Sequence, residues 1–253
     1  GDATRGAILF HQPSMACAKC HVVGVDPKST LGPDLSSMAQ AVSDEALIES
    51  VLQPSKTIRQ GYESITVLTS DGRLIAGIPL EQTSDKIVIR DAARIGETVA
   101  IAVADIEEIK QNELSIMPAG QMNQLTSRQQ FYDLIRYLIE IRDGGPQRAM
   151  QLKPSPSLLV FQIPEYENHL DHARLINGWN DESFERGEAI YQRVCANCHG
   201  THDTVGSLPT SLRFADGKFK NGSDALSMYR TLTHGFGQMA PQAWMVPSQK
   251  YDV

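Results

Sequence analysis

Helical stripes and one block of alternating positions organise this chain. From Arg5-Gly6 the apolar residues Ile8, Leu9 and Phe10 fall at helical spacing, and a similar order returns far downstream as Arg186-Gly187 followed by Ile190 and Tyr191. The second copy opens Asp181-Glu182-Ser183-Phe184-Glu185-Arg186, with acids in its first turn where a helix dipole favours them. Phe131, Leu134, Ile135, Leu138 and Ile139 predict a longer helix over 126–142. Between the first and third stripes the period drops to two. Tyr62 to Thr69 alternates and is rich in β-branched residues, Asp71-Gly72 reads as a hairpin turn, and Leu74–Leu80, Lys86–Arg90, Thr98–Val103 and Ile106–Ile109 read as further short strands. This block, from about Thr57 to Asn112, predicts a small β-barrel or curled sheet set into an otherwise helical unit. From Asp143-Gly144-Gly145-Pro146 to Asn180 the pattern is weakly periodic and carries Pro154, Pro156 and Pro164, as a surface linker does.

The 253 residues therefore divide into a domain at 1–142 with its β insertion, a linker at 143–182 and a second domain at 183–253. The closing Ser248-Gln249-Lys250-Tyr251-Asp252-Val253 lines up with Ser127 to Leu134 through the shared Tyr-Asp-aliphatic step, so the second domain is expected to stop where its last helix begins. Gly1, with no initiator Met and no charged-then-apolar leader, fits a processed, exported chain. A formal charge of -7 leaves no basic stripe for phosphates, which argues against nucleic acid and for a protein partner with a basic rim. No apolar run reaches the roughly 18 residues that a membrane-crossing helix needs.

The cysteines carry the chemistry. There are four, all in two Cys-x-x-Cys-His runs: Cys17-Ala18-Lys19-Cys20-His21 and Cys195-Ala196-Asn197-Cys198-His199. Residues three and four apart share one helix face, so each run turns two thiols and an imidazole toward one flat ligand. The thiols suit thioether bonds to the two vinyl groups of haem, and the histidine suits the iron as proximal ligand. A four-thiolate zinc site places its pairs about 15 to 20 residues apart, whereas these are separated by most of the chain. A redox dithiol does not require the trailing histidine, and a disulfide between cysteines three apart would be strained.

A metal-bound histidine commonly donates its second ring N–H to a carbonyl. Leu31-Gly32-Pro33-Asp34-Leu35 offers the Pro33 carbonyl to His21, and Ser207-Leu208-Pro209-Thr210 offers that of Pro209 to His199. An electron carrier fills its sixth position, and methionine there raises the potential relative to a second histidine. Met117, in Leu114-Ser115-Ile116-Met117-Pro118-Ala119-Gly120, is the candidate for the first haem, with Met122 as fallback. Met239, in Gly235-Phe236-Gly237-Gln238-Met239-Ala240-Pro241, is preferred for the second over Met245, whose neighbours Trp244 and Val246 suit packing. His169 and His172, three apart in the linker, read as solvated side chains before they read as a metal pair.

From about Gly6 to Glu140 the chain resembles the haem-binding domain described from planctomycetes and verrucomicrobia. The likeness runs through the first haem motif, Gly32-Pro33-Asp34-Leu35, Pro54-Ser55-Lys56, Gly61-Tyr62-Glu63, the strand block with Asp71-Gly72, and Met117-Pro118 before the helix. Such a domain is similar to a class I cytochrome c with a β insertion, which implies Met117 as axial ligand and electron transfer as the activity. From about Phe184 the chain looks like a mono-haem cytochrome c domain, with His199 and Met239 in the ligand positions and no closing helix. In the family such domains often belong to larger dehydrogenase-like proteins. The fold expected is thus mainly α, two class I cytochrome c-like domains, the first with an inserted small β-barrel or sheet. The function expected is electron transfer by two covalent haem c groups between a periplasmic or otherwise exported donor, such as a dehydrogenase, and an acceptor. The rival readings are a dihaem peroxidase, which needs one iron with an open site and an acid-base group above it, and a haem-containing docking or sensor module built on the β insertion.

Overall fold

The computed structural model describes residues 1–24, 31–38, 42–159, 163–206, 208 and 211–253. Helix α1 (Ala3–His11) opens on Asp2, whose carboxylate accepts the Arg5 backbone N–H. It is followed by α2 (Cys17–Cys20) and by α3 (Asp44–Leu52), which is capped by Ser43. Five antiparallel strands come next: β1 (Ile65–Thr69), β2 (Leu74–Gln82), β3 (Lys86–Asp91), β4 (Thr98–Ala102) and β5 (Ile106–Gln111). Helix α4 (Arg128–Gln151) starts at the Ser127 cap.

Helix α1 lies against α4, and their contact is close enough to exclude a side chain. A Cβ on Gly6 would stand 2.0 Å from the Asp133 carbonyl oxygen, so glycine is required there. The Asp133 carboxylate, almost fully buried, accepts from the Asp2 N–H at 2.7 Å, Arg5 Nε at 2.7 Å and Gln129 Nε2 at 2.7 Å. Around this crossing Ala7, Phe10, Leu47, Leu134, Tyr137, Leu138 and Ile141 make one apolar core.

The strands pair in the order β4-β3-β2-β1-β5. Val67, Ile87, Ile89 and Ile101 bury one face of the sheet against itself, which curls it. With β4 and β5 as edges it is an open sheet among the described residues, not a closed barrel. Every predicted strand is present, within a few residues of its expected bounds.

The helix predicted to end at Arg142 continues to Gln151 across a kink at Gly145 (φ 62°), followed by Pro146. Arg148 Nε donates to Glu140 Oε2 at 2.9 Å over the kink, and Ala149 and Leu152 rejoin the core. Residues from Asp143 onward, expected as linker, therefore begin as packed helix. Beyond them come 3-10 turns at Pro156–Leu158 and Glu165–His169, then α5 (His172–Asn177).

The C-terminal part repeats the first crossing. Helix α6 (Asp181–Ile190) runs through a π-helical turn, Tyr191–Cys195, into α7 (Ala196–His199), followed by α8 (Ala225–His234) and α9 (Pro247–Asp252). A Cβ on Gly187 would stand 1.8 Å from the Asp252 carbonyl oxygen, and Arg186 Nε donates to Asp252 Oδ2 at 3.0 Å. Arg5-Gly6 with Asp133 and Arg186-Gly187 with Asp252 are thus the same device used twice.

Glu167, expected in the linker, is buried against this part. Its carboxylate accepts from Lys250 Nζ at 2.8 Å and from the Tyr229 hydroxyl, while Lys250 also reaches Thr233 Oγ1 at 3.1 Å. His172 Nδ1 lies 2.8 Å from the Tyr251 hydroxyl and its ring packs edge-on to Tyr229 and Tyr251, whereas His169 is exposed. Among the described residues no helix is long and apolar enough to cross a membrane.

Two outcomes follow for stability. The Arg5 guanidinium holds the Asp133 carboxyl well below the usual carboxylate range. A depressed folded-state value means that its contribution is complete above the unfolded value of about 3.9 and is lost as pH falls toward the lower folded one. Asp133→Asn is expected to cost about 2 kcal/mol at neutral pH and to flatten the acid limb of stability, measured by urea unfolding between pH 7 and 2. Glu167→Ala leaves the Lys250 ammonium buried without its carboxylate and is expected to cost about 3–5 kcal/mol in the same assay, whereas an exposed linker would give almost none.

Candidate haem-binding sites

The first motif is reached through strain. Ala16, immediately before Cys17, takes φ 55°, the one left-handed non-glycine among the described residues, at a cost of about 1–2 kcal/mol. That turn aims α2 so that Cys17 and Cys20 share a face, and the His21 N–H closes the turn onto the Cys17 carbonyl at 3.0 Å. The imidazole of His21 places Nδ1 3.1 Å from the Pro33 carbonyl, the partner anticipated for it. Gly32 makes this approach feasible: a Cβ there would lie 2.5 Å from His21 Cε1 and 2.6 Å from Nδ1, while its own N–H donates to the Cys20 carbonyl at 2.8 Å.

The second motif is reached without a left-handed residue. The π-helical turn shifts the phase of α6 so that Cys195 ends it and Cys198 and His199 follow in α7. Here Nδ1 of His199 lies 2.8 Å from the Leu212 carbonyl. Pro209, expected in that role, lies outside the described residues. Phe214 stacks on the imidazole with ring centroids 4.4 Å apart, and the Tyr191 hydroxyl donates to the Gly200 carbonyl at 2.9 Å. Leu212 and Phe214 went unnoticed in the sequence because neither spacing nor residue type marks them.

These bonds decide the chemistry of both histidines. A carbonyl can only accept, so Nδ1 carries the proton. Burial lowers both imidazole pKa values, which favours the neutral ring and leaves Nε2 as a bare lone pair. Burial also pushes the thiols up, Cys17 and Cys195 to about 12 and Cys198 to about 11, with Cys20 moving the same way. Protonated thiols do not suit a reactive dithiol, which depends on a depressed pKa. All four cysteines are free thiols, and each pair is followed at once by its histidine. Two unpaired thiols beside one oriented, neutral imidazole are the donor set that a covalent haem requires.

The candidate methionines stand in different surroundings. Met117 is half-buried, with its N–H on Ser115 Oγ at 3.1 Å. Its neighbour Ile116 is buried in the same apolar cluster that Cys20 packs against. Met122 packs against the core between α1 and α4 instead. Met239 is half-buried at the end of a tight turn closed by Phe236, while Met245 is 3% exposed, a packing residue by its surroundings.

The two motifs are neighbours in space. Asn123 Nδ2 donates to the Arg193 carbonyl at 2.8 Å and Lys19 Nζ to the Gly237 carbonyl at 3.3 Å. Leu31, Ile78, Ala92, Ile116 and Leu208 form one buried cluster, and both Cys20 and Cys198 pack against it.

The family model described as cytochrome C oxidase, cbb3-type, subunit III matches residues 182–252. A cytochrome c-like haem-binding domain therefore occupies that stretch and implies covalent haem c in it. A comparison with curated proteins finds no match.

The close fit of Gly32 is open to direct test. Gly32→Ala is expected to displace the His21 ring and cost about 1–3 kcal/mol by overpacking, read as a lower denaturation midpoint. An unchanged midpoint would show that the imidazole has room to spare.

Proposed function

We propose that this chain is a dihaem c-type cytochrome of two class I-like domains, the first enlarged by the β insertion, which carries electrons between exported redox proteins. The reading rests above all on one repeated observation: in both Cys-x-x-Cys-His runs the histidine spends Nδ1 on a backbone carbonyl and keeps Nε2 as a lone pair. Cys17, Cys20 and His21 would hold one haem and Cys195, Cys198 and His199 the other. Met117 and Met239 fill the sixth positions. Each haem, when bound, supplies one reversible electron between ferrous and ferric iron.

The chain's own residues do the rest. The Pro33 and Leu212 carbonyls fix the rotation of the two imidazoles, and Phe214 restrains His199 from one side. Methionine at the sixth position raises the potential and leaves no open site, which fits a carrier better than a peroxidase. The acidic balance, -7 overall, suits a donor and an acceptor with basic rims, a dehydrogenase being the favoured donor. Thioether attachment takes place outside the bacterial cytoplasm, so the working compartment is the periplasm or beyond.

Mass analysis of the purified chain is expected to find two porphyrin adducts. Met117→Ala and Met239→Ala are each expected to remove half of the methionine-to-iron charge-transfer absorption and to turn one haem high-spin, measured by near-infrared and electron paramagnetic resonance spectroscopy. Unchanged spectra in either variant overturn that ligand. A high-spin haem in the unaltered protein together with turnover of hydrogen peroxide overturns the carrier reading in favour of the enzyme.

A further inference from the structure

The β insertion has a face that its own core does not use. Antiparallel pairing sends successive side chains of β2 to opposite sides, so Ile75 packs with Val67 and Ile89 inside the sheet while Ile78 goes the other way. Ile78 is 2% exposed, and it is buried in the cluster that both Cys20 and Cys198 pack against. The turn after β3 reaches the same place. Asp91 holds that turn by accepting the Ala93 N–H at 2.7 Å and Arg94 Nε at 2.9 Å, and the Ala92 N–H donates to the Ala76 carbonyl at 2.9 Å. Ala92, fully buried, and Ile95 are thereby set against Leu31, Ile116 and Leu208.

Leu31 and Ile116 flank the first motif and its candidate methionine, and Leu208 follows the second motif. One apolar wall thus touches an anchoring cysteine of each site. We propose that the β insertion is a positioning element for both haems, in which Ile78, Ala92 and Ile95 keep water from the region between the two attachment sites and so raise the two potentials together. The inference rests on the dihaem reading above and adds to it the role of the insertion. Its physical ground is that ferric haem carries one more positive charge than ferrous haem, so a dry apolar surround disfavours the oxidised form. A docking surface would instead put its working residues on the outside of the sheet, where Leu74 is 69% exposed.

The test is redox titration of the full chain, followed spectroscopically, with porphyrin count and circular dichroism as controls. Ile95→Ser at the half-buried turn and Ile78→Ser at the strand are each expected to shift both haems toward oxidation by about tenfold in the reduction equilibrium, or about 59 mV for a one-electron couple. Ile78→Val is expected to restore most of that shift, and Leu74→Ser to leave both potentials in place. If Ile78→Ser does not fold, Ile95→Ser decides alone. Two porphyrins with no shift, or a shift confined to one haem, overturns the shared wall while leaving the dihaem reading intact. Fewer than two porphyrins in the unaltered protein overturns the dihaem reading itself.

Discussion

The contact on which the rest is built is a helix crossing with no side chain in it. At Gly6 the backbone of α1 meets the Asp133 carbonyl, and at Gly187 the backbone of α6 meets that of Asp252. Such proximity needs glycine on one helix and leaves a carboxylate pressed into the junction on the other, a position that is unfavourable without partners. The arginine just before each glycine supplies the counter-charge, through Arg5 to Asp133 and Arg186 to Asp252. At each crossing the three residues form one unit: the glycine sets the distance, the carboxylate sets the register and the arginine makes the burial tolerable. Because each Cys-x-x-Cys-His run follows its first helix within a few residues, the crossing also bears on where the thiols and the imidazole stand.

Much of this was legible in the chain, and the parts that were not share a cause. The strands could be read because each has one buried face, so their alternation is written into the residues; Val67 and Ile89 are fully buried while their neighbours are not. The repeat was visible as Arg-Gly near one end and Tyr-Asp near the other. The continuation of α4 was hidden, since Gly144-Gly145-Pro146 reads as a stop; the Arg148 bond to Glu140 and the return of Ala149 and Leu152 to the core hold the helix past it. The carbonyl partner of His199 was hidden for a different reason. Every residue owns a carbonyl, so composition cannot choose Leu212, whereas for His21 the tight Gly32-Pro33 turn narrowed the choice. The burial of Glu167 depends on Lys250, 83 positions away, and no local pattern announces a pair so distant.

The two motifs end in one chemistry by different backbone routes. The first bends through Ala16 in a left-handed conformation, and the second turns the helix phase with one π-helical turn. Either device is locally unfavourable. What the routes have in common is their product: two thiols and an imidazole on one face, with the ring nitrogen nearer the backbone already spoken for. Local strain retained at both places, by unlike means, marks the thiol and imidazole geometry as the constraint that the backbone serves.

The β insertion belongs to the same logic. A strand buried on one side only would leave Ile78 in water, and a helix in its place would offer a stripe, not a flat surface. Strand β2 is paired on both edges, with β1 and β3, so its backbone is satisfied and both of its faces are free to bury side chains. One face packs the sheet upon itself; the other presents Ile78, with Ala92 and Ile95 from the next turn, to the cluster that Cys20 and Cys198 also pack against. On the dihaem reading that second face would act as a wall, keeping water from the space where two charged irons would sit. Among the described residues the insertion reaches that cluster through Tyr62, Ile78, Ala92 and Ile95, a small part of its surface.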